Sequence, residues 1–596
     1  MRRSRILSLA LAGCALIAAV LATVASAHHQ PKPSHQSPKP SHHAPPPPPS
    51  HWHQPHHPHH HWHHHPTPPP HHPGPVTADP DSYSTPSGKA TISVEGPEGV
   101  LANDKGDEPT IVGNTEPQHG SLELEPDGGF IYTPDAEFSG TDSFQYTIAD
   151  AVHLYKTDLP SIGNFNGVQL PGGSFGSSLA PVPGNPDEFF GLEDRGPNVE
   201  APDKSAVEPK PGYDPAIARF VFNDGEAELV ERIPLRDSSG QPFSGRVNSE
   251  APTGEKVTNL NGTVLAHDPN GYDPEGLVAL PDGTFWVSDE YGPFITHFTA
   301  EGREIQRLSP YPEASNGNQP QLPQELQKRV PNRGMEGLTI TPDGSTLVGM
   351  MQSGLQQTDL PAGADGKKNA PTRIVTYNLY THKVHEYLFL LDEPGPLKTA
   401  NSEITALSND TFVIDERDSL FPSPTGYKKL WEVSLEGATD VGPQAHVPGA
   451  EYKATEGGLL IGGKTIEATL WGQKTAEAKT TLEADGIKPV SSTLFLDVDE
   501  LLTELNPTNA FYDHDKVEGV SILEGGNRVV LSNDNDFGIS EVRASETPTG
   551  LPWQLVPKIL PATGKQDDGE YLEIDMDSLP AKTSTTTVTL DVTEGH

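Results

Sequence analysis

The distribution of apolar and polar positions along residues 273–292 predicts a β-hairpin. Leu277–Leu280 is a short apolar run, and Pro281–Gly283 supplies a turn because proline fixes φ and glycine tolerates positive φ. Thr284–Ser288 is rich in the β-branched and aromatic residues that favour strands. The outer ends of this hairpin carry the acids Asp273, Glu275, Asp289 and Glu290. Because the two ends of a hairpin meet, we expect these carboxylates to gather at one pole.

The same hairpin pattern recurs along the chain at intervals of about 50 to 110 residues, each time with an acid at an outer end. The further copies occupy residues 177–198, 335–353, 402–418 and 517–537. Repeated hairpins of this kind are typical of propeller blades, whose innermost strands point one end at a central channel. The sequence therefore predicts an all-β protein built on a β-propeller, with acids at equivalent positions forming a ring around the axis.

Six blades are predicted, with five or seven as alternatives. The sixth is counted because residues 452–498 contain blade-like strands without the acidic motif. Turn signals are dense throughout, and Val498–Leu505 is the best candidate for a short helix. The alternating run Thr583–Val592 is predicted to be a final strand or a frayed tail.

Residues 1–27 have the pattern of a secretory signal peptide. Arginines precede the apolar run Ile6–Val24, and Ala25–Ala27 fits the A-x-A cleavage pattern. An uncleaved anchor and lipidation at Cys14 are the alternatives. Cys14 is the only cysteine, so the cleaved chain would have neither disulfides nor a thiol nucleophile. The sequence predicts a secreted or cell-envelope protein without a stable membrane span after cleavage.

Residues 28–75 are a His/Pro-rich tract that cannot build a hydrophobic core and is predicted to be a disordered linker. Clustered imidazoles bind Zn²⁺, Ni²⁺ or Cu²⁺, so non-catalytic capture of a transition metal is one interpretation of the tract. The other interpretation is a solvated spacer.

Residues 76–150 are a separate unit of short, alternating strands. The motifs Gly99–Asp104, Gly120–Leu122, Phe130–Pro134 and Gly140–Tyr146 resemble those of bacterial immunoglobulin-like or cadherin-like modules. The resemblance implies a β-sandwich with a presenting or adhesive role, for which cell-wall or surface polymers would be partners.

The main domain, residues 151–596, belongs to a strongly acidic chain. The whole chain has 40 basic and 82 acidic residues and a net charge of −42. This balance argues against nucleic acid and anionic membranes as partners of the folded part, and it suits a protein that binds divalent cations. No phosphate-binding loop, H-E-x-x-H pair or dinucleotide fingerprint is present in the sequence.

Motifs distributed over nearly the whole of this domain point to a known family. They are Gly173–Leu179, Gly191–Asn198, Asp273–Gly292, Asn332–Gly337, Asn401–Ile404, Asp415–Asp418 and Ser532–Phe537. In this order they resemble the phytase-like family of secreted bacterial proteins, which is described by the esterase-like activity of phytase. The resemblance implies a phosphomonoesterase or phosphodiesterase acting on substrates such as phytate. Residues 350–353 depart from the pattern, so that hairpin contributes only Glu336.

The acids at the hairpin ends are candidate ligands for Ca²⁺, which takes six to eight oxygen ligands. The predicted metal ligands are Glu275, Glu336, Glu403, Glu518, Asp289, Asp415, Asn533 and Asp534. Arginine binds phosphate through two parallel hydrogen bonds, and three arginines lie beside these acids. The predicted catalytic residues are Glu275, Glu336, Arg195, Arg333 and Arg417. The hypothesis is a calcium-dependent hydrolase of small phosphorylated substrates, in which cation and arginines neutralise charge that develops on the phosphate.

Three other interpretations remain open at this stage. The acids could instead satisfy backbone N–H groups and pair with the neighbouring arginines, which is a purely structural role. A calcium-dependent esterase or lactonase on the same fold is the second interpretation, and it rests on analogy of fold alone. The third is a non-enzymatic cell-surface binding module, which the tract and the immunoglobulin-like unit favour.

Overall fold

The computed structural model describes residues 75–85, 91–106, 108–312, 319–508 and 510–593. The predicted signal peptide, Cys14 and all but the last residue of the His/Pro-rich tract lie outside the described residues. Within the described ranges strands predominate, and none of the helices there is long and apolar enough to cross a membrane.

The main domain contains five antiparallel sheets of four strands each, counted over the described residues. They are numbered here from the innermost strand outward. Sheet 1 comprises Ser178–Val182, Asn185–Leu192, Ala216–Asn223 and Glu226–Pro234; sheet 2 comprises Pro274–Ala279, Phe285–Asp289, Ile295–Phe298 and Glu304–Leu308; sheet 3 comprises Met335–Ile340, Thr346–Met351, Pro371–Asn378 and Val384–Leu390; sheet 4 comprises Ala400–Ala406, Thr411–Arg417, Lys428–Ser434 and Ser491–Asp497; sheet 5 comprises Val517–Leu523, Arg528–Asn533, Glu570–Asp575 and Val152–Lys156.

The five innermost strands stand side by side in a closed ring. Hydrogen bonds link each sheet to the next. Between sheets 1, 2, 3 and 4, Leu277 N–H donates to Ser178 Oγ, Ser288 Oγ to the Glu336 carbonyl and Leu338 N–H to Glu403 Oε1. Sheets 4, 5 and 1 are joined by Thr405 Oγ1, which donates to the Val520 carbonyl, and by Ser521 Oγ, which donates to the Leu179 carbonyl. The ring confirms the predicted all-β propeller architecture.

Sheet 5 closes the ring with chain from both ends of the domain. Its outermost strand, Val152–Lys156, precedes sheet 1 in sequence and pairs with Glu570–Asp575. Lys156 also pairs with Glu226 of sheet 1, so that sheets 1 and 5 join into one eight-stranded sheet. This arrangement ties the beginning of the domain to its end.

The segment that was counted as a sixth blade has a different structure. Residues 450–465 form the small sheet Ala450–Lys453, Gly458–Ile461 and Lys464–Thr465, and two helices follow at Ile466–Leu470 and Thr475–Ala484. This segment is inserted between the third and fourth strands of sheet 4, and its apolar side chains pack against sheet 3. The five sheets correspond to the alternative of five blades rather than to the preferred six, and the predicted helix Val498–Leu505 is present with the same bounds.

The immunoglobulin-like module consists of two packed sheets. One contains Ile92–Val94, Phe130–Pro134 and Gly120–Leu124; the other contains Asp81–Ser84, Thr583–Val592, Gly140–Ala149 and Thr110–Asn114. The C-terminal strand, which the sequence placed in the range of the main domain, thus lies inside this module and pairs with Gly140–Ala149 along its whole length. Val588 and Leu590 are buried in the module's core, which explains the alternation of that strand.

The connections within and between the sheets carry the remaining short strands. These are Gly163–Phe165 with Val168–Leu170, Val199–Glu200 with Ala206–Glu208 and Val257–Asn259, and Ile539–Arg543 with Gln554–Pro557.

Candidate functional site

A cavity of about 460 Å³ lies at the end of the ring where the innermost strands begin and the second strands end. Side chains from all five sheets and their adjoining loops line it. Seven of the residues predicted from the sequence are among them: Glu275, Glu336, Glu518, Asp534, Arg195, Arg333 and Arg417. The repeated hairpin ends thus converge on one site, as the ring of acids requires.

A β-bulge directs the three glutamates into this cavity. In sheets 2, 3 and 5 the register between the first two strands shifts at the start of the innermost strand. Glu275, Glu336 and Glu518 occupy the shifted positions, each followed by glycine. A bulge leaves one residue unpaired and redirects its side chain, which is how these carboxylates reach the open end of the channel.

Sheet 4 breaks this pattern and takes Glu403 out of the cavity. The register shift there lies between Asn401 and Glu403, so Ser402 has the bulged position and Glu403 has the position of the glycines. Glu403 is buried between the innermost strands, where its carboxylate accepts hydrogen bonds from Ser178 Oγ and from the N–H groups of Leu338 and Ile404. A residue held in this way has a packing role in the described structure.

Three more of the predicted ligands also lie outside the cavity lining. Asp289 accepts hydrogen bonds from the N–H groups of Asp273, Tyr291 and Gly292 at 2.8–3.0 Å, and it therefore shapes the loop after its strand. Asn533 forms hydrogen bonds with the chain around Glu570. The backbone N–H of Glu570 donates to Asn533 Oδ1 at 2.8 Å. Asp415 is buried deeper in the ring, and neither of its carboxylate oxygens has a hydrogen-bond partner among the described residues.

The alternation of side chains along a strand explains which residues at the ends of the second strands line the cavity. Neighbouring side chains on a strand point to opposite faces, so only one of each acidic pair can reach the cavity. Four of these lining residues end the second strand or directly follow it, and the fifth stands two residues after it: Arg417 ends its strand, Glu290, Gln352 and Asp534 follow theirs, and Asp194 is the second residue after Leu192. Asp194 and Glu290 were missed as site residues, although alternation could have selected them. Lys516, Lys367 and Glu255 were missed because no repeat marks them.

Three carboxylates of sheet 2 form the most compact acidic group of the site. Asp273, Glu275 and Glu290 are buried, and each offers an oxygen within 4.8 Å of the other two. Asp273 Oδ2 and Glu290 Oε1 have no hydrogen-bond partner among the described residues, and the same is true of Glu336 Oε2 across the cavity. Unsatisfied buried oxygens are costly, and carboxylate oxygens are the ligand type that Ca²⁺ prefers. We call Asp273, Glu275 and Glu290 the sheet-2 carboxylates.

Burial and mutual repulsion disfavour the charged forms of these acids. Burial, with a further contribution from Glu336, holds the pKa of Glu275 and of Glu290 well above the ordinary range. Burial raises the pKa of Asp273 to about 7 against the opposing charge of Arg195. Burial and the neighbouring Glu518 raise the pKa of Glu336 to about 8, although Arg417 opposes the shift. A bound cation would stabilise the charged forms of these carboxyls.

Two of the predicted arginines are committed to neighbouring residues. Arg195 donates to Asn198 Oδ1 at 2.7 Å and to the Tyr291 hydroxyl, and one of its terminal nitrogens lies 3.8 Å from Asp273 Oδ2. Arg417 donates to Ser402 Oγ at 3.0 Å, to Ser419 Oγ at 2.9 Å and to Glu518. On sheet 4, Ser402 and the Arg417 side chain therefore occupy the position at which sheets 2, 3 and 5 have a glutamate.

The fold and the cavity define the chain as a β-propeller with an acidic site at one end of its channel. The chain belongs to the phytase-like family, described as esterase-like activity of phytase, whose profile matches residues 172–537. A bacterial Ig domain profile matches residues 72–158, in agreement with the immunoglobulin-like module.

A protein of Arthroderma benhamiae named "Uncharacterized secreted protein" is 30% identical over 237 residues, which cover 33% of this chain and 46% of the fungal one. The match thus spans about half the length of that relative. Among solved structures, a GH74 enzyme of Niastella koreensis matches with 11% identity and a TM-score of 0.24 over 66% of this chain and 39% of that one. The PQQ-bound aldose sugar dehydrogenase of Streptomyces coelicolor matches with 10% identity and a TM-score of 0.25 over 84% and 100% of the two chains. These TM-scores are too low for either structure to inform the site.

Proposed function

We propose that this protein is a secreted, calcium-dependent phosphoester hydrolase whose reaction takes place in the cavity at the end of the propeller channel. The observation that carries the proposal is the convergence of the sheet-2 carboxylates, three buried acids with oxygens within 4.8 Å of one another. Membership of the phytase-like family supports an ester substrate.

The residues present fit a hard divalent cation. Every candidate donor is an oxygen, which is the ligand type that Ca²⁺ prefers. Asp273 Oδ2 and Glu290 Oε1 accept no hydrogen bond from any residue that the structure describes, so they are available to the ion. Glu275 would be the third carboxylate ligand. Glu336, opposite this group, has its Oε1 fixed by a hydrogen bond from the Gln352 side chain, and its Oε2 has no hydrogen-bond partner within the described part of the chain. When bound, the ion would supply positive charge beside the phosphoryl oxygens of a substrate.

The remaining residues of the cavity would hold this arrangement in place. The Arg195 N–H donates to Asp273 Oδ1 at 3.0 Å and so orients that carboxylate. Lys516 Nζ lies 2.7 Å from Asp534 and 2.6 Å from Asp536, which keeps two further acids of the cavity paired. Pre-positioned groups of this kind need no reorganisation during a reaction, and this is where the protein would contribute to the rate.

The proposed location is extracellular. The fungal relative is named as secreted, and the predicted signal peptide agrees with that name. We assign the immunoglobulin-like module a role in holding the propeller near cell-wall or surface polymers, and the His/Pro-rich tract the role of a spacer with affinity for transition metals.

Hydrolysis assays on the full-length protein test the proposal. The substrates are p-nitrophenyl phosphate, bis-p-nitrophenyl phosphate, phytate and a lactone, each with Ca²⁺ and with EGTA. We expect phosphate release that requires Ca²⁺ and falls by about 100-fold or more in Glu275→Gln. Ca²⁺ at about 100 times its dissociation constant should also stabilise the wild type by about 2.7 kcal/mol, and Glu275→Gln should lose this gain.

Glu301→Gln is the matched control, because Glu301 is an exposed acid of the same sheet and does not line the cavity. Turnover of the lactone alone would replace the proposal with a calcium-dependent lactonase. Stabilisation by Ca²⁺ without turnover of any substrate would leave a metal-stabilised binding module.

A further inference from the structure

The charge of the cavity is at odds with an anionic substrate. Ten acidic and six basic side chains line it, so a phosphate ester meets a net negative surface. One cation among the sheet-2 carboxylates would leave the surface short of positive charge. An anion can bind there only beside cationic groups that are not already paired with the acids of the cavity.

Four of the six basic side chains already form ion pairs with acids of the protein. Arg195 and Arg417 contact the partners described above, Lys516 pairs with Asp534 and Asp536, and Lys204 pairs with Glu200 at 2.5 Å. The other two are Arg333 and Lys367. Over the residues that the structure describes, neither side chain forms a hydrogen bond or an ion pair.

The two free cations come from neighbouring loops of sheet 3. Arg333 stands just before the innermost strand Met335–Ile340, and it is near enough to Glu290 and Glu336 to oppose the rise in their pKa that burial causes. Its backbone neighbour Asn332 has a φ of 55°, a left-handed conformation that fixes the direction of the loop. Lys367 lies in the short 3₁₀ turn Gly366–Lys368 at the exposed rim of the same cavity.

We infer that Arg333 and Lys367 form an anion subsite that selects a phosphate monoester dianion over a diester monoanion. Arg333 would bind the phosphoryl oxygens by paired hydrogen bonds, and Lys367 would add a second positive charge at the rim. A dianion gains from both cations, whereas a diester has one negative charge and a second bulky substituent. The inference rests on the proposed function and makes Arg333 and Lys367 its specificity-determining residues.

Binding of inorganic phosphate to the calcium-loaded full-length protein, measured by calorimetry, tests this subsite directly. We expect Arg333→Gln to weaken phosphate binding by about 10- to 100-fold, since a charged hydrogen-bonding partner is lost. Lys367→Gln should weaken it by about fivefold or less, because Lys367 is exposed, and added salt should reduce that effect. Lys368→Gln is the matched control: this exposed neighbour does not line the cavity, and its removal should leave binding unchanged.

Two further readouts separate this subsite from the cation site. The affinity for Ca²⁺ should stay within about twofold in Arg333→Gln, and Arg333→Lys should retain part of the phosphate binding. The ratio of kcat/KM for p-nitrophenyl phosphate to that for the bis ester should fall in both variants. Loss of Ca²⁺ binding in parallel with phosphate binding, or wild-type phosphate affinity in both variants, would overturn the inference.

The outcomes also separate the inference from the proposed function. Phosphate binding that depends on Arg333 without any hydrolysis would keep the subsite and reject the hydrolase. Calcium-dependent hydrolysis with an unchanged substrate ratio in both variants would keep the hydrolase and reject the subsite. A wild type that binds no phosphate would reject the subsite.

Discussion

The wall of the cavity built from sheet 2 and the wall built from sheets 4 and 5 both carry buried acids, but they are neutralised to different degrees. On sheets 4 and 5, Glu518 is held by Arg417, and Asp534 by Lys516. On sheet 2, the three carboxylates have a single ion pair among the described residues, from Arg195 to Asp273 Oδ2 at 3.8 Å. A buried acid without a partner destabilises a fold, so the chain retains on sheet 2 an arrangement that packing alone would not favour.

The difference separates structural ion pairs from the incompletely paired acids at which we propose that the cation binds. All the hairpins derive from one repeat, and the bulge is common to sheets 2, 3, 4 and 5. What differs is the residue at each equivalent position: Glu290 on sheet 2, Gln352 on sheet 3 and Arg417 on sheet 4. Sheet 4 thus has an arginine at the position where sheet 2 has an acid, and this arginine pairs with Glu518.

The largest effect is expected from breaking the paired wall. Arg417→Met leaves Glu518 buried without its cation, and removal of one member of a buried pair costs about 3–5 kcal/mol of unfolding free energy. Urea unfolding in calcium-free buffer measures this change. The double variant Arg417→Met/Glu518→Gln should recover much of the loss, because no charge is then left unpaired.

An exposed pair provides the contrast for that experiment. Lys204 and Glu200 are both largely exposed, and Lys204→Met should change stability by less than about 1 kcal/mol. Equal losses in Arg417→Met and Lys204→Met would remove the distinction between the two walls.

Glu336, the buried acid of sheet 3 that faces the unpaired wall, should make stability respond to pH in the opposite sense to ordinary acids. Burial and Glu518 raise the pKa of Glu336 to about 8 from 4.5, so the folded state holds this proton more tightly than the unfolded state. Without calcium, stability should therefore fall as pH rises from about 4.5 to 8, by on the order of 4 kcal/mol for this group. Urea unfolding across that range should show a flatter slope in Glu336→Gln, with Glu301→Gln as the control. A slope that Glu336→Gln leaves unchanged would show that Glu336 ionises normally.

The repeated hairpin made much of the fold predictable from local signals. The Pro-Asp-Gly turns, the apolar runs and the recurring acids identified the innermost hairpins, and Val498–Leu505 was found as a helix. The blade count was not predictable in the same way. Strand-like runs in residues 452–498 fold as part of a small inserted sheet, two helices and the outermost strand of sheet 4, and Thr583–Val592 completes a sheet whose other strands lie more than 400 residues earlier. Long-range pairing of this kind leaves no local signal.

The site was predictable to the extent that it follows strand geometry. The Glu-Gly motif marked Glu275, Glu336 and Glu518, all of which line the cavity. Glu403 precedes isoleucine rather than glycine, and that departure was the available sign of its different position. Which arginine is free and which is paired depends on contacts between different sheets, so Arg333 could not be separated from Arg195 and Arg417 by sequence.

The smallest effect is expected from replacing the glycine that follows a bulged glutamate. A Cβ at Gly337 would lie 2.6 Å from the Ile404 nitrogen and 2.9 Å from the Glu403 Cα, both backbone atoms of the neighbouring innermost strand. Gly337→Ala should therefore force sheets 3 and 4 apart locally and cost about 2 kcal/mol, within the usual range for overpacking. Gly395→Ala is the control, because a Cβ at Gly395 meets nothing within 4 Å. Thermal unfolding of the two variants measures the difference; if Gly337→Ala were as stable as Gly395→Ala, close approach of the strands would not explain why glycine follows the bulged glutamates.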